Sequence, residues 1–341
     1  MLPLTTLKSR VDSFAELCEP DFVYRGAASR ELTFATVCVQ ALLGDPLAPD
    51  RMGLKFQDEQ GTEQLHLFTT WSRQQLLSHM GAREKWFAPV SLGQQAIELN
   101  ARRHTLEGHM LRTMRTYDYE TVRLVRGLVS SKYGDIPDTS IMEALTTIMP
   151  EGMAIARHSG KTDRAFYAYV VVRDPIEIPQ TGFRAFPGMV VKNSEVGFTS
   201  LWVLPMLYSP GTGACVLEQY DVLRRIHRGK PGELEVQFRE ALDRLKDVWS
   251  TAEERLHALH RIKFADEDAA IEKMKGLILR VGGPKMLAWR CEQAYRAAQH
   301  PAHTGHTIFT TILDRVASEQ DKDTAHTAAG VAGAVLLKLK G

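Results

Sequence analysis

Nothing in this sequence approaches the roughly 18 consecutive apolar residues of a membrane span. The opening stretch, MLPLTTLKSRVDSFAEL, has early charges and a helical period where a secretory leader carries an apolar block, so the expected compartment is the cytoplasm and no membrane partner is expected. Cysteine is scarce. Cys18, Cys38, Cys215 and Cys291 are far apart and form no Cys-x-x-Cys pair, which suits reduced, mostly buried thiols better than a disulfide framework or a zinc site. The phosphate-loop, dinucleotide-binding, zinc-protease and serine-hydrolase signatures are all missing. No catalytic residue, cofactor or metal is therefore assigned, and a non-enzymatic protein is expected. HPAHTGH spaces His300, His303 and His306 by three, but no acidic residue or cysteine follows closely, and Pro301 and Gly305 favour an exposed turn. Asp174, Glu177 and Glu195 could gather at a divalent ion, although no spacing singles them out.

Net charge is also lacking, since 42 basic residues face 41 acidic ones. The distribution is uneven, however, and residues 101–134 hold 7 basic against 3 acidic side chains. A local basic segment in a near-neutral protein is the pattern of a face that meets phosphate, and a solvated helix face gives the same count. This segment supplies Arg112, Arg115, Arg123, Arg126, Lys132 and Tyr133. A second basic group, Arg224, Arg225, His227, Arg228 and Lys230, fits phosphates or the C-terminus of a helix.

Periodicity gives the elements. Residues 4–18 read as a helix, 33–44 as a β-rich apolar segment, 54–71 as a hairpin, and WSRQQLLSHM as a helix capped by Thr70 and stopped at Gly81. In the following segment, Asp118 reads as the N-cap of a helix. Its buried stripe would be Val122, Val125, Leu128 and Val129, with Arg123 and Arg126 side by side on another face. A helix follows at about 138–149. DRAFYAYVVVRD (163–174) is the clearest strand, with Tyr167, Tyr169 and Arg173 on one face, either stacking bases or packed under a helix. Residues 187–208 read as strand, Asn-Ser-Glu-Val-Gly turn and strand, and include Lys192. From Leu217 onward the chain is mostly helical. The expected class is α+β, an antiparallel sheet core with flanking helices and a mainly helical C-terminal third. Its regions are 1–100 (N-terminal α+β), 101–216 (central core with the basic helix and sheet) and 217–341 (helical).

VRLVRGLVSSKYGDIPDTSIMEAL (122–145) resembles the shared segment of a family of phage/plasmid-like proteins of unknown function. TTWSRQQLLSHMG (69–81), NSEVG (193–197) and HTIFTTILDRVASEQ (306–320) are similar to further segments of that family in the same order. GTGACVLEQYD departs from it where a Cys-x-Asn-Gly stretch is expected, which leaves the role of the loop near Cys215 open. The resemblance implies a mobile-element protein found beside recombination exonucleases. It also implies single-stranded DNA binding or annealing by a homo-oligomer, with an exonuclease as a possible partner. Arg112, Arg115, Arg123, Arg126, Lys132, Tyr133, Tyr167, Tyr169, Arg173, Lys192, Arg224, Arg225, Arg228 and Lys230 are the candidate nucleic-acid contacts. A non-enzymatic phage structural or interaction factor and a metal-dependent nuclease are the alternatives.

Overall fold

The computed structural model describes residues 2–18, 22–23, 33–37, 51–57, 63–115, 123–149, 154–155, 159–172, 174–220, 222–227 and 234–339. The chain is an α+β protein built on two sheets. The smaller sheet has the order β2-β6-β7-β5-β4-β3. Its strands are β2 (Phe22–Val23), β3 (Thr33–Val37), β4 (Arg51–Gln57), β5 (Glu63–Phe68), β6 (His109–Arg115) and β7 (Arg123–Ser130). Among the described residues only β5 and β7 run parallel, and the connection they require is supplied by three helices and β6. The helices are α2 (Thr70–His79), α3 (Glu84–Phe87) and α4 (Leu92–Arg102). Thr69, not Thr70, caps α2 by accepting the Ser72 N–H at 3.1 Å, and Gly81 ends it at a positive φ of 65°. Leu76, Leu77 and Leu99 pack with Leu54, Val125 and Leu128 into one core.

The larger sheet has the order β1-β8-β10-β12-β13-β14, with β9 on β10, β11 on β12 and β15 on β13. Its longest strands are β10 (Phe166–Val171), β12 (Phe183–Asn193) and β13 (Leu201–Ser209). The shorter ones are β1 (Leu2–Pro3), β8 (Ala154–Ile155), β9 (Gly160–Lys161), β11 (Ile176–Ile178), β14 (Gly213–Val216) and β15 (Leu223–Arg225). One face buries Phe166, Ala168, Val170 and Val191 against α1 (Leu4–Ala15) and α5 (Asp138–Ile148). The other buries Tyr167, Tyr169, Val190 and Leu204 under the C-terminal helices α7 (Glu267–Arg280), α8 (Lys285–Ala298), α9 (Gly305–Ser318) and α10 (Lys322–Lys338). The 26-residue α6 (Leu234–Leu259) serves both cores: Phe238, Leu245 and Trp249 enter the first, and Ala252, Leu256 and Leu259 the second. Among the described residues no helix is long and apolar enough to cross a membrane.

The structure changes three sequence readings. The arginine-bearing segment is the strand β7, not a helix; its proposed cap, Asp118, lies outside the described residues. Residues 125–129 are buried on both faces, and a strand covered on both sides carries consecutive apolar residues rather than an alternation. A bulge completes the disguise. Arg112 pairs with Gly127 and Thr113 with Val125, so Arg126 is the extra residue, and Val125 and Leu128 reach the same core despite their odd spacing. Second, Tyr167 and Tyr169 are core, each 1% exposed, so they form no base-stacking face. Third, Arg224 and Arg225 lie on β15 rather than at a helix end, and Arg228 and Lys230 fall outside the described residues, as does Arg173.

Candidate functional site

The turn between β12 and β13 is where the two sheets meet. Val196 O accepts from Trp71 Nε1 at 3.1 Å and from Gln75 Nε2 at 2.9 Å, both on α2, while Gln75 Oε1 accepts the Leu128 N–H of β7 at 3.0 Å. Tyr133 Oη donates to Ser194 O at 2.6 Å and accepts the Gly197 N–H at 3.2 Å. Ser194 Oγ closes the turn by accepting the N–H groups of Val196 and Phe198. Residues 128–133 and the 193–197 turn are therefore joined directly and through α2.

Beneath the turn lies a buried ionic network. Glu195 Oε2 is 3.1 Å from the Arg126 guanidinium and 2.6 Å from Lys161 Nζ, and Lys161 also reaches Asp138 Oδ2 at 2.7 Å. Asn193 Nδ2 donates to Asp138 Oδ1 at 2.6 Å, and the Asp138 N–H donates to Glu195 Oε1 at 3.0 Å. The Phe14 ring faces both cations, at 4.8 Å from Arg126 and 4.5 Å from Lys161. Burial, reinforced by the Glu195 charge, pushes the Asp138 carboxyl up to about 6. Burial also opposes the Glu195 charge, but Lys161 and Arg126 together outweigh it and hold this carboxyl down at about 2. Glu195 thus carries the lasting negative charge, and Asp138 is the first of the two to take up a proton.

Beside the turn opens a groove of about 860 Å³ whose walls include Lys132, Tyr133, Phe198, Trp202, Arg224 and His227. Ser130, Thr199 and Ser200 add hydroxyls, and among the described residues no carboxylate belongs to the lining. The Tyr133 and His227 rings stack at 4.8 Å with their planes 7° apart, and the Arg112 guanidinium lies 5.6 Å from the Tyr133 ring centroid. Gly134 ties this wall to the strand end of β15, donating its N–H to His227 O at 2.9 Å while its carbonyl sits 3.2 Å from His227 Nδ1. Burial holds His227 below the usual histidine range. On the opposite wall the Arg224 guanidinium lies 4.5 Å from the centroid of the Trp202 ring, its cross-strand neighbour. Cationic groups and ring faces thus line a single concave surface.

Of the candidate contacts, Lys132, Tyr133 and Arg224 line the groove, and Arg112 supports it while bonding Asp135 at 3.0 Å. Lys192 sits just behind Trp202 and Phe198. Arg126 is 3% exposed and belongs to the ionic network. Arg115 and Arg123 pair with each other at the far end of β6 and β7, seven residues or about 23 Å of strand from Ser130. Arg115 there donates to Glu16 O at 2.9 Å. Arg225 turns to Gln237 Oε1 at 3.3 Å. Tyr167 donates to Asp323 Oδ1 at 2.5 Å and Tyr169 lies 2.8 Å from His326 Nδ1, so their hydroxyls serve the interior.

Sequence reasoning missed Phe198, Thr199, Ser200, Trp202 and Ile226 and placed His227 only among basic groups. The signal for Trp202 was within reach: a hairpin centred on Gly197 pairs Lys192 with Trp202, as β12 and β13 do. His300 and His303 lie against the Tyr295 ring, and His306 against Phe183. Among the described residues no three His, Cys, Asp or Glu side chains are placed to hold a metal ion. Comparison of the chain with protein-family models, curated proteins and solved structures finds no match.

Proposed function

We propose that the protein binds single-stranded nucleic acid, DNA in the first place, in the groove beside the 194–198 turn. The observation that carries this reading is a concave surface where Lys132 and Arg224 accompany the rings of Tyr133, His227, Phe198 and Trp202, with no carboxylate among the described lining residues. Cations along a groove hold the phosphate backbone, and ring faces accept unstacked bases without regard to sequence. In a duplex the bases stack on one another and their faces are closed to such rings. A role in recombination or replication, homo-oligomeric action and an exonuclease partner rest on the family resemblance alone.

A mobility-shift series with single- and double-stranded oligonucleotides over a salt titration tests the proposal. Single strands should be retarded at lower protein concentration, with affinity falling steeply as salt rises. Substituting Lys132→Gln together with Arg224→Gln removes two cations from the groove, so the log-log salt slope on single strands should fall by about 1.4, at about 0.7 per phosphate contact. Trp202→Ala should weaken binding by about 1–3 kcal/mol if its ring receives a base. No retardation at low salt and micromolar protein, or an unchanged slope in the folded double variant, would refute the assignment.

A further inference from the structure

From the groove wall inward, Arg224, Trp202, Lys192 and Tyr167 pair directly across β15, β13, β12 and β10. Directly opposed residues of antiparallel strands share a face, so these four side chains form one row. Lys192, half-buried on β12, differs from Lys161, whose side chain is buried beneath the turn. Lys161 holds two carboxylates, whereas Lys192, among the described residues, forms neither an ion pair nor a hydrogen bond. Its Nζ lies 5.7 Å from the Tyr167 ring centroid and 5.9 Å from that of Phe198, at the outer limit of cation–π attraction.

The charged and titratable groups around it come from several elements. Asp323 of α10 is engaged by Arg164 at 2.6 Å and by the Tyr167 hydroxyl. Glu218, after β14, lies 3.5 Å from His326 Nε2, and burial holds that imidazole neutral. Burial is the largest influence on Lys192, Glu218 and Asp323 oppose it, Arg164 adds to it, and the ammonium ends below the usual lysine range. A desolvated lysine without a carboxylate partner is the form of this side chain that reacts with carbonyls.

We propose that Lys192 is a carbonyl-reactive lysine that takes aldehyde-bearing anionic ligands as imines. The Nζ lone pair adds to the aldehyde carbon, a proton passes from nitrogen to oxygen, and water leaves as the C=N bond forms, so no oxidant or reductant is consumed. Arg224, two strands along the same row, and Lys132 in the groove suit the anionic part of such a ligand. Glu218, whose carboxyl burial pushes up while the Lys192 charge pulls it down, can supply the proton that the departing water needs. Two sources carry this chemistry: a free phosphorylated aldehyde, and the aldehyde of an abasic site in DNA. The first is independent of the nucleic-acid reading and the second rests on it.

Two labelling experiments on the full chain test the proposal. In the first, pyridoxal 5′-phosphate at pH 7 followed by borohydride and peptide mapping should label Lys192 severalfold more than exposed Lys246 and Lys273. The preference should vanish near about pH 11, where ordinary lysines are also largely neutral. Lys192→Arg should lose this label while melting at the parent temperature. In the second, a single-stranded oligonucleotide with one abasic site should be trapped by borohydride on Lys192, and the intact oligonucleotide should not. Labelling in the first experiment alone supports the free aldehyde as ligand, and trapping in the second supports the DNA aldehyde. Lys192 labelled no more than Lys246 in the first, with no trapping at Lys192 in the second, would overturn the proposal. Because retardation of unmodified single strands is scored separately, loss of the nucleic-acid reading and loss of the reactive lysine give different results.

Discussion

Arg126 looked like a phosphate ligand and is instead a structural cation. Its guanidinium is shared among Glu195 at 3.1 Å, the Cys18 sulfur at 3.0 Å and the face of Phe14. Removing one partner of a buried ion pair strands the other, so Arg126→Gln and Glu195→Gln should each cost about 3–5 kcal/mol in chemical denaturation. The double variant should cost less than the sum, because each single change exposes the same mismatch. Oligonucleotide binding per folded molecule should be unchanged, since Arg126 does not line the groove. Additive costs, or a loss of binding without a loss of stability, would return Arg126 to the ligand surface. The residue types of the site were legible in the sequence, because arginine, lysine and tyrosine stand out among apolar neighbours. Their partners were not, because Arg126 and Glu195 are 69 residues apart and no local pattern joins them.

At the scale of elements, the sequence was legible wherever a segment meets one covered face and misleading where both faces are covered. The hairpin of β4 and β5, helix α5 and the pair β12–β13 all lie close to where periodicity places them. Strand β7 does not, and its bulge is tied to how closely the sheets approach. A Cβ placed on Gly127 would come within 2.6 Å of Val196 Cβ and 3.1 Å of Gln75 Oε1. Val196 Cβ is fixed to the backbone of the clamped turn and cannot swing aside. Gly127→Ala should therefore cost about 1–3 kcal/mol as an overpacking change. It should also push on the turn that carries Phe198, so single-strand affinity should fall along with the melting temperature. A Gly127→Ala protein that melts like the parent would mean that the turn yields and that the two sheets are not held at a fixed separation.

The whole molecule places several ionisable groups where water does not reach, and this couples its stability to acid. His66 of β5 is held down at about 3, by burial first and by Arg123 second. Burial also drives His326 well below its ordinary range, with Lys192 adding to the effect, and lowers His227 in the groove wall. An unfolded chain takes protons on these imidazoles near pH 6.5 while the folded one does not, so acidification draws the equilibrium toward the unfolded state. Stability is therefore lost as the pH falls from about 6.5, and for His66 the loss continues to about 3. Asp138 works the other way between about 6 and its ordinary value, because the folded protein protonates it first. Asp138 therefore offsets part of the acid limb that His66 and His326 set up, as do Glu218 and Asp314, whose carboxyls burial raises, while His227, His79, His300 and His306, lowered by burial, add to it. Below the ordinary glutamate range the limb should steepen, because the unfolded chain then protonates Glu195 while the folded one resists down to about 2. Denaturant titrations at half-unit pH steps measure this limb directly. His66→Asn deletes one proton site and should flatten the slope by about 1.4 kcal/mol per pH unit, whatever it does to stability at pH 7. A slope that His66→Asn leaves unaltered would mean that His66 ionises inside the folded protein, and that water reaches β5 where the two-sheet packing closes it off.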